Sequence, residues 1–308
     1  MQDGRHLHWN AEALWQQLEP LLPGLSVEVV ARADSTNTRL LDRARQFSGQ
    51  RDAPITRPGQ LDQALPAAGD GALSPHGRRA GDTQPCLLVA EQQTRGRGRI
   101  GRDWQSGFGV SLTFSLSLPL APRDWSGLSL AVGLALADAL DAPAETPPRI
   151  GLKWPNDLWL LDAPGAPTLG RKLGGILIET VPVGGRRMCV VGIGLNVLPQ
   201  PAEGLSSGFA CLQELDALAS APAALAAVAA PLLRTLRRFE RESFAPFAPA
   251  YARRDLLHGQ RVTASTPEPL EGVAEGVDER GALRIRSGTL HTLVSGEVSV
   301  RLQDSAAC

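Results

Sequence analysis

Apolar and polar positions alternate over residues 26–32 (SVEVVAR), where β-branched residues also concentrate, and this predicts a strand. Residues 108–118 (FGVSLTFSLSL) alternate in the same way, and the apolar run 86–93 (CLLVAEQQ) reads as a buried strand. Helical spacing comes earlier, over 10–19 (NAEALWQQLE), with Asn10 as its expected N-cap and Pro20 just beyond its end. Asp34, Ser35, Thr36 and Asn37 can cap a second helix through TRLLDRARQF. Asp124 is expected to cap a third, small-residue-rich and largely buried, through SGLSLAVGLALADAL. Residues 150–161 (IGLKWPNDLWLL) read as two short strands broken at Pro155, followed by strands in RKLGGILIET and RRMCVVGIGLNV. From 210 to about 257 the chain is Ala/Leu-rich and helical, interrupted by prolines.

The pattern fails in two places and changes in a third. Residues 48–85 are rich in Gly, Pro, Ala, Asp and Gln and have no period, so they read as a long flexible insertion, and 162–170 reads as a shorter one. Residues 260–302 switch to short strands separated by turn signals such as Asp278–Gly281, a small all-β module. These shifts divide the chain into residues 1–256 and 257–308. The strands and helices of the first part imply an α/β (α+β) architecture with a mixed sheet.

Composition narrows the function classes. The 31 Lys and Arg against 32 Asp and Glu give a net charge of −1, unlike a protein built to neutralise a phosphate backbone, so no nucleic-acid partner is expected. Any anion must be held by local clusters. The N-terminus lacks the basic start and apolar run of a secretory signal, and no stretch of about 18 apolar residues is free of charges and breakers, so no membrane partner is expected. Cys86, Cys189, Cys211 and Cys308 form no pair with metal-ligand spacing; free thiols in a reducing cytoplasm are the plain reading, with no fixed metal site in the protein.

Four segments carry candidate chemistry. In RGRGRIGRDW (95–104), Arg95, Arg97, Arg99 and Arg102 alternate with Gly96, Gly98 and Gly101. Glycines let backbone N–H groups approach an anion, and arginines supply permanently charged forks. The same run formally matches the dinucleotide-binding fingerprint, but no helix is expected to start inside it; an RGG-like nucleic-acid segment and a solvated basic loop are the other readings. Lys153-Trp154-Pro155-Asn156-Asp157 puts a cation, a rigid break, an amide and a carboxylate within five residues, although a strand end followed by a turn explains it equally. Arg171-Lys172-Leu173-Gly174-Gly175 again sets a lysine beside paired glycines, which suits an anion or a plain basic loop before an edge strand. Gly192-Ile193-Gly194-Leu195-Asn196 leaves room for a ligand ring, or simply for close packing.

In their order, these segments resemble the biotin–protein ligase family: STN at 35–37, EQQTRGRGRIGRDW at 91–104, KWPND at 153–157, KLGGILIE at 172–179, GIGLN at 192–196, and GVDERGAL (276–283) with GEVSVR (296–301) near the C-terminus. The resemblance implies a catalytic fold shared with lipoate ligases and class II synthetases, followed by a small SH3-like β-barrel. It also implies ATP-dependent activation of biotin to biotinyl-5′-AMP and transfer to a lysine of a biotin carboxyl carrier protein, such as an acetyl-CoA carboxylase subunit. The protein is expected to act as a monomer or a homodimer. A lipoate or octanoate ligase or transferase, and a biotin-responsive regulator without enzymatic activity, are the alternatives. The family's N-terminal DNA-binding domain is not expected, since 34 residues precede Ser35.

By position, the resemblance places Ser35, Thr36 and Gln93 around the ureido ring of biotin, with Asn37 supporting the turn of that binding segment, and Gly96, Arg97, Gly174 and Gly175 along the rest of it. Lys172 is implied to contact both the biotin carboxylate and the α-phosphate. Arg99, Arg102, Trp104, Asn156 and Asn196 fall on the nucleotide side, and Lys153 and Asp157 near the reacting centre, with Asp157 as the candidate for handling the proton of the incoming amine. The charge pattern suits the chemistry: a carboxylate must meet a triphosphate, and Arg, Lys and Mg²⁺ carried with ATP would offset their repulsion.

Overall fold

The computed structural model describes residues 7–48, 83–142, 147–163, 169–200, 208–294 and 300–302. The 48–85 insertion therefore lies almost wholly outside the described residues, as do the middle of 162–170 and most of GEVSVR.

Helix α1 (Ala11–Leu18) precedes strand β1 (Ser26–Ala33) and helix α2 (Thr36–Ser48). Strand β2 (Cys86–Gln93), a short ribbon of β3 (Gly96–Arg97) and β4 (Asp103–Trp104), strand β5 (Ser111–Pro119) and helix α3 (Leu128–Leu140) follow. Next come β6 (Ile150–Lys153), β7 (Asp157–Leu161), β8 (Gly170–Val183) and β9 (Arg186–Asn196), then helices α4 (Ala221–Glu242) and α5 (Ala248–Ala252). The chain ends in β10 (Arg261–Ala264), β11 (Leu270–Val277), β12 (Leu283–Ser287), β13 (Thr289–Leu293) and β14 (Val300–Leu302).

Seven strands form one mixed sheet in the order β1-β2-β5-β9-β8-β7-β6. Among the described strands of this sheet, β1 and β2 pair in parallel and the other neighbours antiparallel. Alternation sorts its two faces. Leu112, Phe114, Leu116 and Leu118 of β5 join Val191, Ile193 and residues of α1, α3 and α4 in the main core. The opposite face receives α2, whose Leu40, Leu41 and Ala44 pack on Leu88, Val181 and Val190. Burying each such leucine contributes about 1.5–3 kcal/mol. The last five strands form an antiparallel sheet of their own, ordered β13-β12-β11-β10-β14.

Local capping departs from expectation twice. Asn10 is left-handed (φ 47°) and makes no side-chain cap on α1. Asp124 does not cap the third helix either: its Oδ1 accepts from Ser126 N at 2.9 Å, its other oxygen pairs with Arg280, and α3 starts after Gly127. Its acceptor is spent on the preceding turn, an equally local use of an aspartate. The helical stretch expected from 210 begins only at Ala221, capped by Ser220, and runs through Pro231 without ending.

The second sheet is fastened to the first at particular points. The indole of Trp154, 1% exposed, donates to Gly281 O at 3.1 Å, and Arg280 pairs with Asp124 across the junction. Gly281 has φ +78°, and a Cβ there would lie 2.7 Å from Gly127 Cα, so the turn docks in a way only glycine allows. Arg254, 6% exposed, satisfies its buried guanidinium with Asp138, Asp141 and the carbonyls of Ile150 and Asp141.

Asp255 sits in the same connection, its Oδ2 enclosed without a hydrogen-bond partner. Burial pushes its pKa up to about 6 from 3.8. A carboxyl raised in the folded state binds more protons there, so stability falls as pH rises from about 4 to about 6, and the penalty is complete above that. Asp255→Asn mimics the protonated form and is expected to raise stability at pH 8 by about 1–2 kcal/mol. Urea unfolding should show this gain shrinking to nothing near pH 4.

Candidate functional site

The site forms on the α2 face of the sheet, where the central strands carry little bulk. Ser115 pairs in register with Gly192, and Gly194 pairs with Gly175. The start of α2 lies over this floor. A Cβ on Gly192 would come within 2.2 Å of Asn37 Oδ1, and one on Gly194 within 2.3 Å of the Trp104 ring. The two glycines of GIGLN therefore leave room, and two candidate site residues fill it. Gly174 is different: Leu195 and Gly194 O occupy the space its Cβ would need, so close strand packing accounts for it.

Around Asn37 the buried polar groups are tied together, as groups removed from water must be. Gln93 Oε1 accepts from Thr36 N at 2.7 Å and lies 3.1 Å from Thr36 Oγ1. Ser115 Oγ is 2.6 Å from both Thr36 Oγ1 and Asn37 Oδ1. Asn37 Nδ2 donates to Leu177 O at 3.1 Å and to Glu179 Oε2 at 2.9 Å. Ser35 Oγ accepts from Thr38 N at 3.4 Å. A cavity of about 740 Å³ opens beside this network, lined among others by Ser35, Thr38, Gln93, Gly96, Arg97 and Trp104.

The glycine–arginine segment folds as the β3–β4 ribbon rather than into a helix, which removes the dinucleotide reading. Gly96 passes so close to β4 that a Cβ would lie 2.2 Å from Trp104 O. At the tip, Ile100 and Gly101 are left-handed (φ 56° and 68°). Arg97 does not point into open space: it donates to Glu179 Oε1 at 2.6 Å and to Thr38 Oγ1 at 3.2 Å. Arg99 reaches the other way, to Asn156 Oδ1 at 3.2 Å.

There it meets the second cluster. Lys172 Nζ lies 2.8 Å from Asp157 Oδ1. The register explains how Lys172 reaches this face. Strict alternation from Gly175 would put Leu173 here, but β8 shifts register against β7 so that Leu158 pairs with Gly174 and Trp159 with Lys172. Leu173 is the extra residue, buried in the main core, and the bulge re-aims Lys172. Asn156 Nδ2 donates to Ile176 O at 2.8 Å, fixing the turn that carries Asp157. Lys153 Nζ sits 4.8 Å from the Trp159 ring centroid, a cation–π contact. Burial holds the Lys153 ammonium below the usual lysine range; Asp157 opposes this, while Lys172, Arg102 and Arg301 push the same way.

Asn196, expected on the nucleotide side, donates to Lys172 O at 3.3 Å and Ala210 O at 2.9 Å, bracing the lysine's strand. Ser115 and Glu179 were not singled out from the sequence. Both lie in strands read only for their apolar residues, and the alternation of Ser and Thr in FGVSLTFSLSL was the one available signal for Ser115. Among the described residues, no group of three or more His, Cys, Asp and Glu is placed to hold a metal ion.

Residues 79–196 match the Biotin/lipoate A/B protein ligase family, and residues 257–301 match the Biotin protein ligase C terminal domain. The chain is 31% identical over 299 residues to the bifunctional ligase/repressor BirA of Escherichia coli, covering 95% of this chain and 78% of that protein. It is 32% identical over 234 residues to the biotin–[acetyl-CoA-carboxylase] ligase of Mycobacterium tuberculosis, covering 72% and 81%. Among solved structures, the biotin protein ligase from Aquifex aeolicus in complex with biotin and ATP superposes with a TM-score of 0.63 at 25% identity, covering 92% of this chain and all of that one.

The two strand glycines of the floor should respond differently from Gly175. Gly192→Ala collides with an Asn37 amide held by three partners and is expected to cost about 1–3 kcal/mol by urea unfolding. Gly175→Ala meets only ordinary contacts, the nearest at 3.5 Å, and should leave the unfolding midpoint nearly unchanged.

Proposed function

The chain belongs to the biotin protein ligase family, and from that premise we propose that it activates biotin with ATP and transfers it to a lysine of a biotin carboxyl carrier protein of the acetyl-CoA carboxylase type. One observation carries the reading: a cavity lined by polar groups, Ser35 and Gln93 among them, adjoins a cluster of cations, with Gly96 and Arg97 between them. A ureido ring needs donors and acceptors to replace water, and a carboxylate meeting a triphosphate needs positive charge. Thr36 N fixes the Gln93 amide with Oε1 inward, which leaves Nε2 near Gly96 to donate to a ligand.

In the first step the biotin carboxylate attacks the α-phosphorus of ATP and pyrophosphate leaves. We assign Lys172 and Arg99 to the charge on the attacking oxygen and the phosphates, with Arg102 and Lys153 adding to the local field. Trp104, laid over Gly194 beside the cavity, supplies an apolar wall. The donor set suits Mg²⁺ that travels with the nucleotide: one carboxylate, Asp157, and the Asn156 amide stand among cations, not in an all-protein cage. When bound, the ion would polarise a phosphoryl oxygen.

In the second step a carrier amine attacks the acyl carbon and AMP leaves. The amine must arrive neutral, against an ordinary lysine pKa of about 10.4. Asp157 is our candidate for accepting its proton. It stands next to Lys172, and its link to that lysine is free to exchange once phosphate oxygens engage Lys172.

Biotin-dependent exchange of labelled pyrophosphate into ATP, without carrier and with lipoate and octanoate as controls, tests the reading. Exchange with biotin alone is expected. Exchange with lipoate or octanoate would reassign the acid, and none with any acid would leave a binding protein without activating chemistry. Asp157→Asn should slow transfer from preformed adenylate by about 100-fold in single turnover. An unchanged transfer rate removes Asp157 from that role.

A further inference from the structure

A carboxylate lies beneath both halves of the site without facing the cavity. Glu179 is 0% exposed. Its Oε2 accepts from Asn37 Nδ2 and its Oε1 from Arg97 Nη2, so each oxygen serves a different half. Those two contacts belong to segments 60 residues apart that share no strand pairing with each other: the start of α2 and the glycine–arginine ribbon.

A carboxylate offers acceptors only, and this sets the direction of the whole network. Asn37 must turn its NH₂ toward Glu179 and Leu177 O, which turns its Oδ1 toward Ser115. An amide oxygen cannot donate, so the single Ser115 proton goes to Asn37. The single Thr36 proton is then shared between Ser115 Oγ at 2.6 Å and Gln93 Oε1 at 3.1 Å. Donation thus runs from Thr36 to Ser115 to Asn37 to Glu179, and Arg97 meets it from the other side. Chains aligned in this way reinforce one another in a dry interior. The ribbon is also restrained through Thr38 Oγ1, two residues beyond Thr36 on the same helix.

We propose that Glu179 is a positioning residue that docks the glycine–arginine ribbon, through Arg97, onto the network that recognises the acid. The inference rests on the biotin reading for the identity of that acid. It assigns the Arg97 guanidinium to an internal anchor, so that the backbone of Gly96 and Arg97, not the Arg97 charge, walls the cavity.

Glu179→Gln tests this in the full chain, since it keeps the size and an acceptor for Asn37 but removes the charge that holds Arg97. Limited trypsin digestion should cut after Arg95, Arg99 or Arg102 about tenfold faster than in the native chain, with other sites unchanged. The Kd for biotin by calorimetry should rise about tenfold, while the KM for ATP moves less than about threefold. Arg97→Gln should reproduce both effects, and the double variant should be no worse than the worse single, because the two remove one interaction. The Arg97 side chain is 33% exposed, so its variant is expected to fold even where Glu179→Gln does not, and its loop cleavage still reads the docking. Unchanged loop cleavage in Arg97→Gln, or losses that multiply in the double variant, overturns the proposal. If the native chain binds no biotin, the acid assignment fails separately, and the trypsin rates still decide the role of the pair.

Discussion

Cations that must meet a polyanion repel one another until it arrives, and this constraint organises the site. Arg97, Arg99, Lys153 and Lys172 approach one region from three segments. Each is given a different partner. Arg97 has a fully enclosed carboxylate, Lys172 a partly exposed one, Arg99 a neutral amide oxygen and Lys153 an aromatic face. The differences matter because partners differ in how readily they are exchanged. An enclosed carboxylate is costly to leave unpaired, whereas a partly exposed pair or a neutral hydrogen bond gives way to phosphate at smaller cost. Arg97 therefore reads as fixed, and Lys172 as exchangeable.

Holding these side chains in register is the work of the sheet. The bulge at Leu173 turns Lys172 onto the face that Leu173 would otherwise occupy, and Asn196 braces the lysine's carbonyl. Gly192 and Gly194 let Asn37 and Trp104 settle onto β9. Behind the turn at Trp154, the second sheet closes the arrangement: the Trp154 indole is bound to Gly281 O between the two charged residues Lys153 and Asp157. The chain on either side is also pinned: Leu152 bonds to the 254–256 segment through both its N–H and its C=O, and Asn156 exchanges bonds with Ile176. The turn thus has little freedom, which suits side chains that must address reacting atoms.

Much of this was legible in the sequence. Strands with clean alternation or apolar runs, and the break at Pro155, fell where the pattern put them, because burial on a sheet face enforces a period of two. The caps were not legible. Asn10 and Asp124 are residue types that cap helices, but they serve turns equally well, and sequence does not decide between two local uses of one acceptor. In β5 the alternation marked a strand but did not say what its Ser and Thr face meets. Ser111, Thr113, Ser115 and Ser117 are all buried, because α2 and the ribbon cover that face, and Thr113 and Ser115 spend their hydroxyls on Ala90 O and on Thr36 and Asn37. Glu179 was hidden for the same reason, as a lone acid ending an apolar strand usually faces solvent.

The polar face of the sheet also explains why the two halves of the site differ in character. Over β5 and β9 the covering element is a helix start, whose side chains and backbone N–H groups are fixed before any ligand arrives. A neutral ring can be recognised there with little reorganisation, because each donor and acceptor already has its direction. Over β7 and β8 the covering element is a turn and a ribbon tip, and the contacts are long side chains reaching across: Arg99 to Asn156, Lys172 to Asp157. Long side chains can shift as charge moves from carboxylate to phosphoryl oxygen to leaving pyrophosphate. A rigid recognition floor beside an adjustable charged rim allows one acid to be selected and then activated without rebuilding the pocket between the steps. Glu179, reached from both sides, is where the rigid half extends under the adjustable one.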